Sequence, residues 1–196
     1  MARRAKGLNF YKKKKKLSPA TVREVGKYVL LFAMAVLMAY VFVYAVGTKT
    51  SNIGSSMEPC LYNGQEVLIN RIVYNMKNPG RGDVVVFLPN GNEMNHYYIK
   101  RIVGLPGENI TIAEGKVYIN GEPLLEDETF DLMEDGGIAA KGLRLGDNEY
   151  FVLGDNRNNS EDSRSGNIGT VSKDYIIGRA WFHLGHGSSI RPGLIN

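Results

Sequence analysis

The sequence contains only one cysteine and three histidines among its 196 residues. One cysteine cannot form an internal disulfide bond or a cysteine-rich zinc site. The histidines (His96, His183 and His186) show no HExxH spacing and have no cysteine at zinc-ligand spacing. The sequence also lacks a P-loop and a GxGxxG segment that opens a helix. We therefore predict that the protein uses no metal, nucleotide or other cofactor.

Positive charge is scarce outside one end of the chain. Residues 1–27 hold ten basic side chains and one acid, Glu24, which leaves 14 of the 24 basic and 19 of the 20 acidic residues for the remainder. A nucleic-acid-binding domain would present basic residues along a face of its fold, so no nucleic-acid partner is predicted. The positive charge instead marks the N-terminal segment.

A charge-free run follows this basic segment. Residues 28–47 (YVLLFAMAVLMAYVFVYAVG) carry no charge, and about 20 apolar helical residues cross a bilayer core of about 30 Å. Basic residues prefer the cytoplasmic side, so the N-terminus is predicted inside, and only Lys49 follows closely. A cleaved secretory signal would have a shorter apolar core of about 7–15 residues. A buried soluble helix would not be apolar on every face.

The rest of the chain predicts short strands, most of them rich in β-branched and aromatic residues and bounded by glycine, proline or asparagine. The predicted strands are 66–74, 83–88, 97–103, 109–113, 116–119, 150–153 and 176–184. Glu114-Gly115 predicts a hairpin turn between two of them. The sequence therefore predicts a basic cytoplasmic tail (1–27), one transmembrane helix (28–47) and a mainly β, barrel-like extracytoplasmic domain (48–196) in the cell membrane.

Two adjacent cations in one predicted strand point to possible chemistry. Lys100 and Arg101 face opposite sides of the sheet, so one of them faces a buried side. Burial disfavours the charged form of lysine, and a neutral lysine can act as a general base for a serine nucleophile. The alternative is that Lys100 extends into solvent from a sheet edge.

Four segments together suggest a family. SSMEP (55–59), GDVVVF (82–87), YIKRIVGLPGE (98–108) and GDNRNNSEDSR (154–164) occur in this order behind the apolar run. They resemble the motifs of bacterial type I signal peptidases, membrane-anchored serine–lysine proteases that remove signal peptides from exported preproteins. The resemblance covers about residues 20–185 and is closest to the compact, single-anchor members.

The resemblance implies a compact serine–lysine peptidase domain whose partners are secretory preproteins and the lipid bilayer. Ser56 would be the nucleophile, Lys100 the general base, and Ser160 would orient the lysine amine. The resemblance also implies ion pairs of Asp162 with Arg164 and of Asp155 with Arg101. Shallow pockets for the small residues of an Ala-x-Ala cleavage site would be lined by Met57, Tyr98 and Ile99.

Four positions depart from the pattern of the family: Gly54, Cys60, Asn158 in place of an aspartate of some members, and Glu108 in place of the usual aspartate. Gly54 stands where some members have a serine whose hydroxyl completes the oxyanion hole, so this chain would lack that donor. Cys60 stands where threonine is usual and is predicted to be a small packing residue. Ser56 follows the end of the apolar run by nine residues. Even when extended, nine residues reach only about 30 Å, which places the predicted nucleophile near the outer membrane surface.

Three other functions compete with a general signal peptidase. A self-cleaving serine–lysine protease of the repressor type would be cytosolic, which conflicts with the apolar run at 28–47. A non-catalytic factor for surface-fibre assembly should have lost the nucleophile or the base, and both Ser56 and Lys100 are present. A peptidase dedicated to one pilin or conjugation substrate remains open, because the motifs do not separate it from the general enzyme.

Overall fold

The computed structural model describes residues 18–92, 94–126, 129–185 and 191–195. Most of the predicted basic tail, up to residue 17, and His186 lie outside the described residues. The chain divides into two compact units, residues 1–41 and residues 42–196. The first unit contains most of one helix, and the second contains the strands.

Helix α1 (Pro19–Val46) contains nearly all of the apolar run and begins nine residues before it. Its start follows from local chemistry, because the Ser18 hydroxyl accepts a hydrogen bond from Thr21 N (3.1 Å) and Pro19 opens the helix. Among the described residues, α1 is the one helix long and apolar enough to cross a membrane, with a mean hydropathy of 2.6 in its most apolar window. This helix supports a membrane-anchored protein.

The described part of the second unit is built mainly of short antiparallel strands. Their bounds are β1 Thr48–Ser51, β2 Glu66–Asn70, β3 Val84–Phe87, β4 Tyr98–Gly104, β5 Asn109–Ala113, β6 Lys116–Ile119, β7 Glu122–Pro123, β8 Leu143–Arg144, β9 Glu149–Leu153, β10 Val171–Ser172, β11 Ile176–His183 and β12 Gly193–Leu194. The larger sheet has the order β1-β2-β11-β3-β4-β9-β10, with β12 paired to β11. The smaller sheet has the order β7-β6-β5-β8. The prediction of a mainly β fold is confirmed.

The β5–β6 hairpin has the predicted bounds, and its turn residues Glu114 and Gly115 both have positive φ (50° and 73°). The predicted strand over 66–74 is wrong in its second half. It ends at Asn70, and a short helix α2 (Val73–Met76) follows. Asn70 Oδ1 accepts hydrogen bonds from Ile72 N (3.2 Å) and Val73 N (3.1 Å), which turns the chain out of the sheet.

Strand β4 lies inside the larger sheet, between β3 and β9. Lys100 is opposite Val85 on β3, and its neighbour Arg101 is opposite Leu153 on β9. Lys100 is 4% exposed, so the alternative that it extends from a sheet edge is wrong. A central strand with apolar neighbours on both sides forces this lysine into the interior.

Candidate active site

Ser56 and Lys100, which are 44 residues apart in the chain, are in direct contact. Lys100 Nζ donates a hydrogen bond to Ser56 Oγ at 2.6 Å. Both residues line a cavity of about 370 Å³, whose walls come from the segments 52–56 and 96–100 together with Asn159 and Glu161. The arrangement places an amine against a hydroxyl in an open cleft.

The environment of Lys100 changes its protonation. Burial lowers the pKa of the amine from 10.5 to about 8, while the carboxylates of Asp162, Glu161 and Asp155 oppose that shift. A lysine with this pKa is substantially neutral at moderately alkaline pH and can then accept the proton of a hydrogen-bonded hydroxyl. The geometry and the pKa together suit general-base activation of Ser56.

The turn that carries Ser56 is stabilised by hydrogen bonds from a buried asparagine. Gly54 has a φ of +84°, a conformation that favours glycine. The buried Asn52 amide donates hydrogen bonds of 3.2 Å each to the carbonyls of Gly54, Leu61 and Tyr62. Three bonds from one amide fix both ends of the turn and thereby the position of Ser56.

The asparagines of the 154–164 segment hold the same turn from the other side, and sequence reasoning missed this function. Asn156 N donates to Ser56 O (3.1 Å) and Asn156 Nδ2 donates to Ser55 O (3.2 Å). Asn159 Nδ2 donates to Ser55 Oγ (2.8 Å). The density of asparagine in this segment was the available signal, since its amide commonly bonds to nearby backbone.

Ser160 lies beside the dyad, but its expected hydrogen bond to the Lys100 amine is not present. Its Oγ is buried and has no hydrogen-bond partner among the described residues. The side chain instead packs against Gly154, where an added Cβ would lie 2.2 Å from Ser160 Oγ and 2.4 Å from Ser56 O. Gly154 N donates to Asp162 Oδ2 (3.1 Å). The missing Cβ of Gly154 is therefore what allows the two serines to lie close together.

Two buried ion pairs support this segment, with the partners that the sequence resemblance implied. Arg101 donates to both carboxylate oxygens of Asp155, at 2.8 and 2.7 Å. Arg164 donates to both oxygens of Asp162, at 2.9 Å each. Bidentate pairs of this kind fix direction as well as distance. They attach the 154–164 segment to β4 and stabilise its own turn.

Cys60 lies next to the first pair. Burial and the nearby Asp155 carboxylate raise the pKa of its thiol to about 11. Because the thiolate is the reactive form, the protonated thiol is a poor nucleophile. This agrees with the predicted packing role of Cys60, which packs against the core cluster that includes Met57.

The predicted substrate-contacting residues are divided between the cleft and the core. Tyr98 and Ile99 line the cavity, whereas Met57 is not among its lining residues and is fully buried in the core below Ser56. The apolar side chain of Met57 anchors the turn instead of facing the cleft. Glu161, which sequence reasoning did not single out, also lines the cavity. Within the described part of the chain, no cluster of three or more histidine, cysteine or acidic side chains could hold a metal ion.

Comparison with known proteins identifies the family of this chain. Residues 25–184 match the family described as signal peptidase, peptidase S26. The chain is 36% identical to a probable signal peptidase I-2 of Synechocystis (86% of this chain, 76% of the relative) and 34% identical to signal peptidase I T of Bacillus subtilis (83% and 84%). A crystal structure of a signal peptidase I from Enterococcus faecalis matches 53% of this chain and 97% of its own, with 30% identity and a TM-score of 0.41. The chain therefore belongs to the signal peptidase family, peptidase S26.

Proposed function

We propose that this protein is a membrane-anchored endopeptidase that removes N-terminal signal peptides from exported preproteins, cutting after small residues of the Ala-x-Ala type. Membership of the signal peptidase family supports the reaction class. The observation that carries the proposal is the 2.6 Å contact between Lys100 Nζ and Ser56 Oγ in an open cleft. The basic residues before α1 support a cytoplasmic N-terminus and an extracytoplasmic catalytic unit.

The acylation step uses Ser56 as the nucleophile and Lys100 as the base and then the acid. Neutral Lys100 takes the proton of Ser56 as Oγ attacks the scissile carbonyl, and the resulting ammonium returns the proton to the leaving amine. The C–N bond breaks, and the signal peptide remains as an ester on Ser56. Lys100 then activates a water molecule, which hydrolyses the ester and restores the free serine.

The developing oxyanion requires donors close to Ser56. The backbone N–H of Ser56 is the donor that we assign, and Gly54 has no side chain to supply a second one. A missing oxyanion donor commonly costs about 10²–10³ in rate. The three bonds from Asn52 and the two from Asn156 stabilise the turn around this N–H, which reduces the reorganisation needed during the reaction.

The cleft geometry supports a preference for small side chains. Ile99 is 3% exposed, and Tyr98 is held by a hydrogen bond from its hydroxyl to Glu161 (3.2 Å), so packing and hydrogen bonding restrain both side chains next to Lys100. A bulky residue at the cut would have to displace one of these side chains.

The rate of cleavage should depend on pH, because the neutral form of Lys100 is the active one. The lowered pKa of about 8 predicts that kcat/KM rises with pH and levels off above about pH 8. Below that value the rate should fall about tenfold for each pH unit, because the fraction of neutral amine falls tenfold. The measurement is a kcat/KM profile between pH 6 and pH 10 on a terminally blocked peptide. A profile that is already flat at pH 6.5 would contradict lysine as the base.

The direct test uses the full chain in lipid vesicles and a preprotein with an Ala-x-Ala site. We expect a new N-terminus directly after the second alanine, and no cleavage of a matched preprotein with leucine at that position. N-terminal sequencing or mass spectrometry of the product gives the cut site. If the preprotein binds but stays intact, the assembly-factor alternative replaces this proposal.

A further inference from the structure

Glu161 is an acidic group in the catalytic cleft that the dyad mechanism does not use. Its carboxylate lines the same cavity as Ser56 and Lys100. The Tyr98 hydroxyl donates to one carboxylate oxygen (3.2 Å), and Asn167 Nδ2 donates to the other (3.4 Å). Two donors from different elements therefore hold the carboxylate at the cleft, although the residue itself is exposed.

The charge of Glu161 is not neutralised by a close cation. Within the described residues, no lysine or arginine nitrogen forms an ion pair with this carboxylate. The other acids of the 154–164 segment differ in this respect, because Asp155 and Asp162 each have a bidentate arginine. The Lys100 side chain also lines this cavity, but its amine is neutral when it acts as a base. The cleft therefore presents negative charge to a bound chain.

Glu161 lies close to the point of cleavage. Tyr98 and Lys100 project from the same face of β4, and Lys100 Nζ lies 5.6 Å from the centre of the Tyr98 ring. The carboxylate is bonded to the far end of that tyrosine. A chain in extended conformation advances about 3.3 Å per residue, so a side chain within a few residues of the scissile bond is within reach of Glu161 when the chain runs along this wall.

From this geometry we infer that Glu161 is a specificity-determining residue, which makes the cleft prefer a basic over an acidic substrate side chain within a few residues of the cut. The inference rests on the proposed peptidase function and adds a charge preference to it. The exposed carboxylate attracts a lysine or arginine side chain and repels an aspartate or glutamate through water-screened Coulomb forces. For charge pairs as exposed as this one, we expect kcat/KM to differ by about two- to fivefold between a basic and an acidic substrate.

The test compares matched preproteins that keep the Ala-x-Ala site and carry lysine, glutamine or glutamate at each of the four positions on either side of the cut. The assay uses the full chain in vesicles at pH 9, where Lys100 is mostly neutral with or without Glu161. At one or two adjacent positions, wild type should cleave the lysine substrate at least about threefold faster than the glutamate substrate. Glu161→Gln keeps an oxygen acceptor for Tyr98 and should bring this ratio close to one. The readout is the ratio of the lysine to the glutamate substrate within each variant, so an overall change in kcat/KM does not affect it.

Glu122→Gln is the matched control, since Glu122 is an exposed acid on β7 in the smaller sheet. This variant should keep the wild-type ratio. The ratio should also shrink in wild type at 1 M salt, where the screening length is about 3 Å. An equal ratio in wild type and Glu161→Gln, or no charge preference in wild type, overturns the inference. Failure to cleave even the glutamine substrate instead overturns the proposed function.

Discussion

Replacing Ser56 by alanine is expected to abolish preprotein cleavage, and replacing Lys100 by methionine is expected to do the same. Each variant removes one half of the 2.6 Å pair that we propose as nucleophile and base, and loss of one such residue typically lowers kcat by about 10⁴-fold or more. Methionine matches the length and burial of the lysine side chain without its amine. The double variant should be no slower than either single variant, because the two residues act as a unit.

The controls separate loss of chemistry from loss of fold. Lys116→Met changes an exposed lysine on β6 and should leave kcat unchanged. His96→Ala removes the histidine that lines the cleft, and it should retain most of the activity if lysine is the base. Circular dichroism should show the same strand content in all variants. Full activity of Ser56→Ala would show that another residue is the nucleophile.

Gly154→Ala is expected to inactivate the enzyme although it adds only one methyl group. The new Cβ would lie 2.2 Å from Ser160 Oγ and 2.4 Å from Ser56 O, so at least one serine must move. A displacement of about 1 Å at a nucleophile can lower the rate by about 10²-fold. Overpacking of this buried site should also lower the free energy of unfolding by about 1–3 kcal/mol. Cleavage kinetics and denaturant unfolding measure the two effects.

Gly166→Ala is the matched control for this substitution. Gly166 is exposed in the loop that follows the 154–164 segment, and an added Cβ there would meet no atom within 4 Å. The activity and the unfolding free energy of the Gly166→Ala variant should stay at wild-type values. If Gly154→Ala were as active as Gly166→Ala, the close approach of Ser56 and Ser160 would have no role in the reaction.

Local sequence patterns predicted much of the fold. Strand-forming residues and the Glu114-Gly115 turn located the β5–β6 hairpin to the residue, because its strands and turn are all determined locally. The same reasoning failed after Asn70, where β-branched residues favour a strand but one asparagine side chain turns the backbone into α2. The start of α1 at Pro19 was also missed, since hydropathy marks where charge ends and not where a helix begins.

The candidate site could be predicted only in part. Adjacency of Lys100 and Arg101 indicated that one cation faces a buried side, but no spacing rule connects Lys100 with Ser56, 44 residues away. That pairing came from the resemblance of four motifs to a family. The contacts of Asn52, Asn156 and Gly154 depend on which loops meet in space, so their partners became visible only in the structure.

The length of α1 affects how the anchor meets membranes of different thickness. Its 28 residues form a rod of about 42 Å, longer than the hydrocarbon core of about 30 Å, and the surplus is the basic N-terminal end. Because the apolar and basic parts are one continuous helix, a thinner bilayer is matched by tilting the whole rod. In a thicker bilayer the long side chains of Arg23 and Lys27 can extend to the headgroups. In a thicker bilayer, hydrophobic mismatch is thus absorbed at the end of the anchor that is farther along the chain from Ser56.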